Sequence, residues 1–261
     1  EHLQARLGDP PDALYYQGVL ASWLALAGRY AEALRRGEQV ATGALAAPTR
    51  GAGTSYYANA CRGLASAHAA LGHPAEARRY YALAEEAYRA ADHWYQVGNT
   101  FGLELYEVVL PYAPDDLAER RRLATMAEDA WGRSRDALPD LPRRLAHLPL
   151  LLLEGGWEEA RALALAVRAP GSRTQWRPFA SSFLAHLARE QGDIALAWSL
   201  VRERLPAGPG GEPGDAIFLD VLSLQRLAVA LALDAADLPL ARSWLDAHDR
   251  WTLWADCVLG A

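Results

Sequence analysis

Gly28-Arg29-Tyr30-Ala31-Glu32-Ala33 is the first copy of a short pattern that decides the fold of this chain. A glycine is followed two positions later, in most copies, by a bulky or ring residue, and five positions later by an alanine. Self-similarity at this scale is typical of helical repeat arrays. Further copies begin at Gly72, Gly155 and Gly192, and a degenerate copy begins at Ala236.

The pattern marks the turn of a helix hairpin. Each copy follows an Ala- and Leu-rich stretch of about four helical turns, so its glycine stands where a helix must end in a left-handed conformation. The alanine is small enough to let two antiparallel helices approach closely. Each copy therefore predicts two antiparallel helices joined by a short turn.

The spacing of the turns predicts the number of hairpins. Successive turns are 44, 83, 37 and 44 residues apart, and the long gap is wide enough for a hidden hairpin. We expect its first helix near 93–110, its turn at 111–115 and its second helix near 116–137. Each hairpin has an apolar face that only a neighbour can cover. The sequence thus predicts an all-α protein, a right-handed superhelical array of about six antiparallel hairpins forming one domain over 1–261.

Composition excludes several function classes. All 26 basic residues are arginine, which rules out a lysine-dependent phosphate-binding loop and Schiff-base chemistry. The net charge of -6 argues against a nucleic-acid surface. The apolar run Leu148–Leu153 is far too short to cross a bilayer. We expect a soluble, cytoplasmic protein that binds neither nucleic acid nor membrane.

The sequence has no recognisable spacing for a catalytic or metal site. The two cysteines, Cys61 and Cys257, are predicted to be buried and unpaired in a reducing compartment. The cluster Asp246, His248 and Asp249 lies at a predicted helix end and fits helix capping better than metal binding. We therefore predict no enzyme activity, no cofactor and no metal.

The first helices of stacked hairpins should line a concave groove, where residues one turn apart point together. Such a mixture of rings and polar groups suits a small polar ligand or a peptide, and it would also suit a groove that holds no ligand. The candidate ligand- or partner-binding residues are Tyr15, Asn59, Arg62, Ser66, Tyr95, Asn99, Phe179, Ser182, His186, Arg189 and Arg226.

The C-terminal segment from Asp249 has apolar residues at helical spacing and then stops. It is predicted to be the truncated first helix of a seventh hairpin, in a chain that is a fragment of a larger protein. The exposed face Trp251, Trp254 and Val258 should then promote self-association.

The glycine–ring–alanine turns, with a small residue seven positions before the glycine (Ala21, Ala65), resemble tetratricopeptide repeats over most of the chain. More narrowly, the stretch from Trp244 through Trp251 to Trp254 is similar to the helical-repeat region of large bacterial LuxR-type, MalT-like transcriptional regulators. In that family a nucleotide-binding module precedes the repeats, a helix-turn-helix follows them, and the repeats sense an inducer or partner. Neither flanking module occurs in these 261 residues.

The resemblance implies a non-enzymatic sensor domain of a transcriptional regulator. It would bind a small-molecule inducer or a protein partner in the groove and relay occupancy to neighbouring domains. A stand-alone peptide-binding tetratricopeptide adaptor is the alternative. A hydrolase that uses His186 and a groove carboxylate is a third hypothesis.

Overall fold

The computed structural model describes residues 10–46, 52–134, 143–169, 176–214 and 216–258. Regular structure in these ranges is entirely helical, which confirms the predicted all-α class. The chain divides into two compact units: unit 1 is Glu1–Asp136 with Cys257–Leu259, and unit 2 is Ala137–Asp256 with Gly260–Ala261. That the chain forms one continuous array stays a prediction.

The described residues of unit 1 form three hairpins. The first is α1 (Pro10–Leu26) with α2 (Tyr30–Ala46), and the second is α3 (Ala52–Ala70) with α4 (Pro74–Ala90). In the third, α5 (Trp94–Glu104) continues through a π-helical turn (Leu105–Val109) into α6 (Leu110–Tyr112), and α7 (Leu117–Arg133) packs back against α5. Helix α3 packs against both α1 and α2, so it contacts both helices of the first hairpin as well as its own partner α4.

Unit 2 also contains three hairpins in its described ranges. A 3₁₀ turn (Arg143–His147) and α8 (Leu148–Leu153) pair with α9 (Trp157–Arg168). Helix α10 (Arg177–Glu190) pairs with α11 (Ile194–Arg204), and α12 (Phe218–Asp234) pairs with α13 (Leu238–Ala255). Helix α10 packs on α8 and α9, and α12 packs on α10 and α11, which repeats the arrangement of unit 1.

The predicted turn residues have the expected backbone. Gly28, Gly72, Gly155 and Gly192 have φ between 78° and 84°, and Ala236 has φ 56°. These left-handed residues end the first helix of five of the six described hairpins, as the sequence pattern predicts. A further turn of this kind joins α4 to α5 at Asp92, with φ 57°, and lacks the glycine that would have revealed it.

The hidden hairpin is confirmed with small shifts. Its first helix spans residues 94–112 rather than 93–110, and its second helix begins at Leu117, where Asp116 caps it by accepting the backbone N–H of Glu119. The predicted end at residue 137 lies outside the described residues. The π-helical turn ends two residues before Pro111. Proline has no backbone N–H to donate to the carbonyl of Glu107, and its ring would clash with that carbonyl in an α-helix.

The predicted truncated last helix is wrong. Residues 238–255 form one helix, because no turn residue interrupts the apolar face after His248. The ring of Trp251 is buried against that of Phe218, 5.8 Å away, and its indole N–H donates to the carbonyl of Gly211. Trp254 and Val258 are exposed, whereas Trp251 is buried. Self-association through Trp254 and Val258 therefore stays a prediction, and Trp251 is removed from the predicted face.

Both cysteines are buried and neither is in a disulfide, as predicted, although both belong to unit 1. The residues after α13 contribute to that unit through a hydrogen bond from the backbone N–H of Val258 to the carbonyl of Ala70, 2.9 Å away. In the described part of the chain, every helix is too short or too polar to cross a membrane.

We expect Ala236→Gly to increase the free energy of unfolding by about 0.5–1 kcal/mol, because Ala236 is exposed and holds a left-handed conformation that costs an L-residue energy. Gly192→Ala is the matched control at the equivalent turn, where a Cβ would meet no atom within 4 Å. It should lower the same quantity by about 1 kcal/mol, through backbone strain alone. Urea denaturation measures both, and a destabilised Ala236→Gly protein would contradict the assignment of this turn.

Candidate functional site

The predicted groove residues can be compared by their distance from the turn residue of their own hairpin (Gly28, Gly72, Gly192 or Ala236). Ten positions before the turn lie Gly18, Arg62, Ser182 and Arg226, and six positions before it lie Ser22, Ser66, His186 and Ala230. In the hairpins that have a described successor within their unit, these positions contact that successor. The contacts are Gly18 with Tyr56, Ser22 with Arg62, Arg62 with Gln96, Ser182 with Asp220, and His186 with Ser223.

In unit 1 the polar contacts centre on Arg62 of α3, which is only 8% exposed. Its guanidinium donates to three side chains from three helices: Oγ of Ser22 at 3.3 Å, Oε1 of Gln96 at 2.6 Å and Oδ1 of Asn59 at 3.2 Å. The ring of Tyr88 lies 5.6 Å from the guanidinium carbon. Arg62 therefore joins the first, second and third hairpins.

The neighbours of Arg62 are tied together by further hydrogen bonds. The hydroxyl of Tyr88 donates to Oδ1 of Asn59 at 2.8 Å, and Nδ2 of Asn99 donates to Oε1 of Gln96 at 3.2 Å. All three acceptors of Arg62 are neutral, and it forms no ion pair with a described carboxylate. We call Ser22, Asn59, Arg62, Tyr88, Gln96 and Asn99 the Arg62 cluster. Asn59 and Gln96 are half-buried and form the part of the cluster that reaches the surface.

Ser66 belongs to a neighbouring chain of hydrogen bonds. Its hydroxyl lies 3.1 Å from that of Tyr81, which donates to Oε2 of Glu107 at 2.5 Å. Burial raises the pKa of Glu107, while the hydrogen bonds from Tyr81 and Ser66 and the positive charge of Arg62 oppose that shift. The buried carboxyl of Glu107 therefore lies on the same side of α3 and α4 as Arg62.

Sequence analysis selected Tyr95 but not its neighbour Gln96. Tyr95 is half-buried and lines a cavity of about 400 Å³ with Trp94, Gln96 and Arg133, but it is not one of the hydrogen-bond acceptors of Arg62. Gln96 and Glu107 were not identified because their helix follows a turn without glycine and offers no marker for numbering its positions. Tyr88 was not identified because it lies in α4, a second helix, and only first helices were expected to line the groove. Tyr15 lies in α1, but its side chain is outside the described residues.

In unit 2, Ser182 donates a short hydrogen bond to Asp220, and Arg204 donates to the other carboxylate oxygen of Asp220 at 3.3 Å. Burial raises the pKa of Asp220, and the contacts with Ser182 and Arg204 oppose the shift. One turn along α10, Nε2 of His186 lies 3.0 Å from the hydroxyl of Ser223. Burial lowers the pKa of His186, and the positive charges of Arg226 and Arg189 lower it further.

The other predicted residues of unit 2 lie around this contact. Nε and Nη2 of Arg189 donate to the two carboxylate oxygens of Asp234 at 2.7 and 3.1 Å, so the positive charge of this guanidinium is paired with a negative one. Phe179 is half-buried with its ring 5.3 Å from that of Trp176, and Arg226 is exposed. Arg62 and Arg189 were both predicted to line the groove. They differ in that Arg62 donates to neutral side chains and Arg189 pairs with a carboxylate.

The described residues contain little that resembles reaction chemistry. The Ser223–His186 pair has no described carboxylate hydrogen-bonded to the imidazole, the third group of a serine-hydrolase triad. Among described residues, no group of three or more His, Cys, Asp or Glu side chains could hold a metal ion. His248 and Asp249 contact each other at 3.5 Å.

Comparison with protein-family models gives no match for this chain, and comparison with curated proteins gives none either. The functional interpretation therefore depends on the geometry of the two polar clusters and on the sequence resemblance.

We expect His186→Asn to weaken the dependence of stability on pH. Because the folded protein holds the pKa of His186 below the unfolded value, the unfolded state binds more protons as pH falls through that value. Relative to pH 7.5, the wild type should therefore lose more stability, or gain less, than the variant as the pH falls to 5. Glu104, whose pKa burial raises to about 7, contributes in the opposite direction in both proteins. Urea denaturation across this range measures the effect.

Ser223→Ala is the control, because it removes the hydrogen bond but keeps the buried imidazole. It should retain the pH dependence of the wild type. An equal pH dependence in the wild type and His186→Asn would show that this imidazole is not buried in its neutral form.

Proposed function

We propose that this chain is a non-enzymatic sensor domain that binds a small polar ligand with an anionic group at the Arg62 cluster. The anionic group would accept hydrogen bonds from the guanidinium at the surface edge formed by Asn59 and Gln96. This proposal narrows the expected small polar ligand or protein partner to one chemical class.

The observation that supports it is the buried guanidinium of Arg62, which has only neutral acceptors. A buried charge is costly unless it is paired, and hydrogen bonds between two charged groups are stronger than those to a neutral acceptor. An anionic ligand would therefore gain more from Arg62 than the neutral oxygens do. Arg189 offers no such gain, because Asp234 already pairs with it.

The position of Arg62 also suggests how occupancy is relayed. Its hydrogen bond to Gln96 joins α3 of the second hairpin to α5 of the third. A ligand that takes over this bond would change how the two hairpins pack, and small changes between neighbours accumulate in a repeat protein. Neighbouring domains could read that change as a shift in the population of two packing states.

The wider role rests on the sequence resemblance. We propose that the domain belongs to a LuxR-type, MalT-like transcriptional regulator, acts in the cytoplasm, and leaves DNA binding to another part of that protein. A small-molecule inducer is the ligand such a regulator would sense. The acidic overall charge of -6 is consistent with a segment that does not itself bind nucleic acid.

A thermal-shift screen tests the ligand class. The probes are a sugar phosphate, a nucleotide and a dicarboxylate, each with an uncharged counterpart, and a carboxylate-rich peptide. We expect a small anion to raise Tm by about 3–6 °C at about ten times its Kd, and the counterparts to have no effect. A shift with the peptide alone would favour the adaptor, and no anion-dependent shift would overturn the proposal.

Two variants locate the site. Arg62→Gln removes the charge, and Asn59→Asp places a carboxylate 3.2 Å from the guanidinium as an internal competitor. Both should weaken anion binding at least about tenfold. Asn59→Asp should also keep the fold, since it adds an ion pair, so it remains informative if Arg62→Gln unfolds. Arg189→Gln is the matched control and should bind normally; unchanged binding in both test variants would contradict the assignment.

A further inference from the structure

A cavity of about 550 Å³ lies in unit 2 between α11, the loop that follows it, the end of α12 and the first half of α13. Its volume is within the range of sites that hold drug-sized small molecules. Two of its lining residues, Arg202 and Asp237, are charged. The larger apolar residues of the lining are Trp198, Leu205, Pro206, Pro209, Leu240 and Trp244.

One wall of this cavity is the loop between α11 and α12, which is rich in glycine and proline. Helix α13 holds this loop in place. Nη2 of Arg250 donates to the carbonyls of Pro209 and Gly211 at 3.0 and 2.9 Å, and the indole N–H of Trp251 donates to the carbonyl of Gly211 at 3.1 Å. A loop positioned in this way by rigid helices is a common location of binding residues.

Trp244 is a polar residue of the lining without a hydrogen-bond partner. It is 3% exposed, and its indole N–H has no acceptor among the described residues. The indole of Trp251, two turns further along α13, does have one. A buried donor that lacks an acceptor is costly, so such a group in a folded protein calls for an explanation. An oxygen atom of a bound ligand would supply the missing acceptor.

The two charged residues of the lining differ in their contacts. The carboxylate of Asp237 accepts the backbone N–H of Leu240 at 3.0 Å and thereby caps α13. The guanidinium carbon of Arg202 lies 5.4 Å from the centroid of the Trp198 ring, and Arg202 forms no ion pair with a described carboxylate. The lining therefore combines an aromatic surface with an adjacent positive charge.

We propose that this cavity binds a small aromatic carboxylic acid. Its ring would pack on the indoles of Trp198 and Trp244, because aromatic pairs gain more than their buried area alone provides. Its oxygen atoms would supply the acceptors that Arg202 and Trp244 lack, and a hydrogen bond between two charged groups is stronger than one to a neutral acceptor. This site does not depend on ligand binding at the Arg62 cluster.

Isothermal titration calorimetry of the 261-residue protein with naphthoate tests this proposal. Naphthamide has the same ring without the charge, and cyclohexanecarboxylate has the charge without an aromatic ring. We expect naphthoate to bind at least about tenfold more tightly than either analogue. Equal binding of either analogue would overturn the assigned ligand class, and an absence of naphthoate binding would overturn the proposal.

Two variants locate the site. Arg202→Gln removes the positive charge of the lining, and Ala235→Phe places a ring at an exposed position of the lining, so both should keep the fold. Each should weaken naphthoate binding at least about tenfold. Arg242→Gln and Ala195→Phe are the matched controls and should bind normally, because both residues are exposed and lie outside the lining.

Asn59→Asp separates this site from the Arg62 cluster and should leave naphthoate binding unchanged. Weaker naphthoate binding in Asn59→Asp, with normal binding in Arg202→Gln, would place the molecule at the Arg62 cluster and overturn the present assignment. Unchanged binding in both Arg202→Gln and Ala235→Phe would overturn it as well.

Discussion

Within each unit, the packing of a first helix against the preceding hairpin is the contact on which the structure depends. Glycine makes it possible in unit 1: a Cβ on Gly63 of α3 would lie 2.7 Å from the backbone of Ala21, and one on Gly18 would overlap the carbonyl oxygen of Tyr56. At such a separation the backbones touch, so the apolar faces exclude water along the whole contact.

Polar residues in this contact must find partners there, because a buried polar group without one is costly. Arg62 with Gln96 and Ser182 with Asp220 are two solutions at the position ten residues before the turn, and His186 with Ser223 is a third at the position six residues before it. The arginines of the two units differ in the charge of their hydrogen-bond acceptors. In unit 2, Arg204 and Arg189 donate to carboxylates, whereas Arg62 of unit 1 donates to neutral side chains. That difference is why the Arg62 cluster, rather than its counterpart, is the stronger candidate for an anion site.

The sequence predicted the turns, because local backbone conformation determines where a helix ends. It did not predict the features that depend on contacts between hairpins. Turn glycines fixed four hairpins, and the hidden third was located within a few residues. The turn at Asp92 was not identified because an L-residue there adopts the left-handed conformation that normally signals glycine. The break expected before Asp249 is absent, because burial of Trp251 against Phe218 and Gly211 stabilises the continuous helix.

By itself the sequence determined the helix hairpins, their turns and the positions of each first helix that carry polar residues, because these follow from glycine conformation and helical period. Only the tertiary structure decided which polar residues meet. Asn59, Arg62 and Asn99 come together with Gln96, whereas Tyr95 lies one position away on another face, and Arg189 is paired with Asp234 from a different hairpin. These pairings depend on the rotation of one helix against another, and one residue of helix turns a side chain by about 100°.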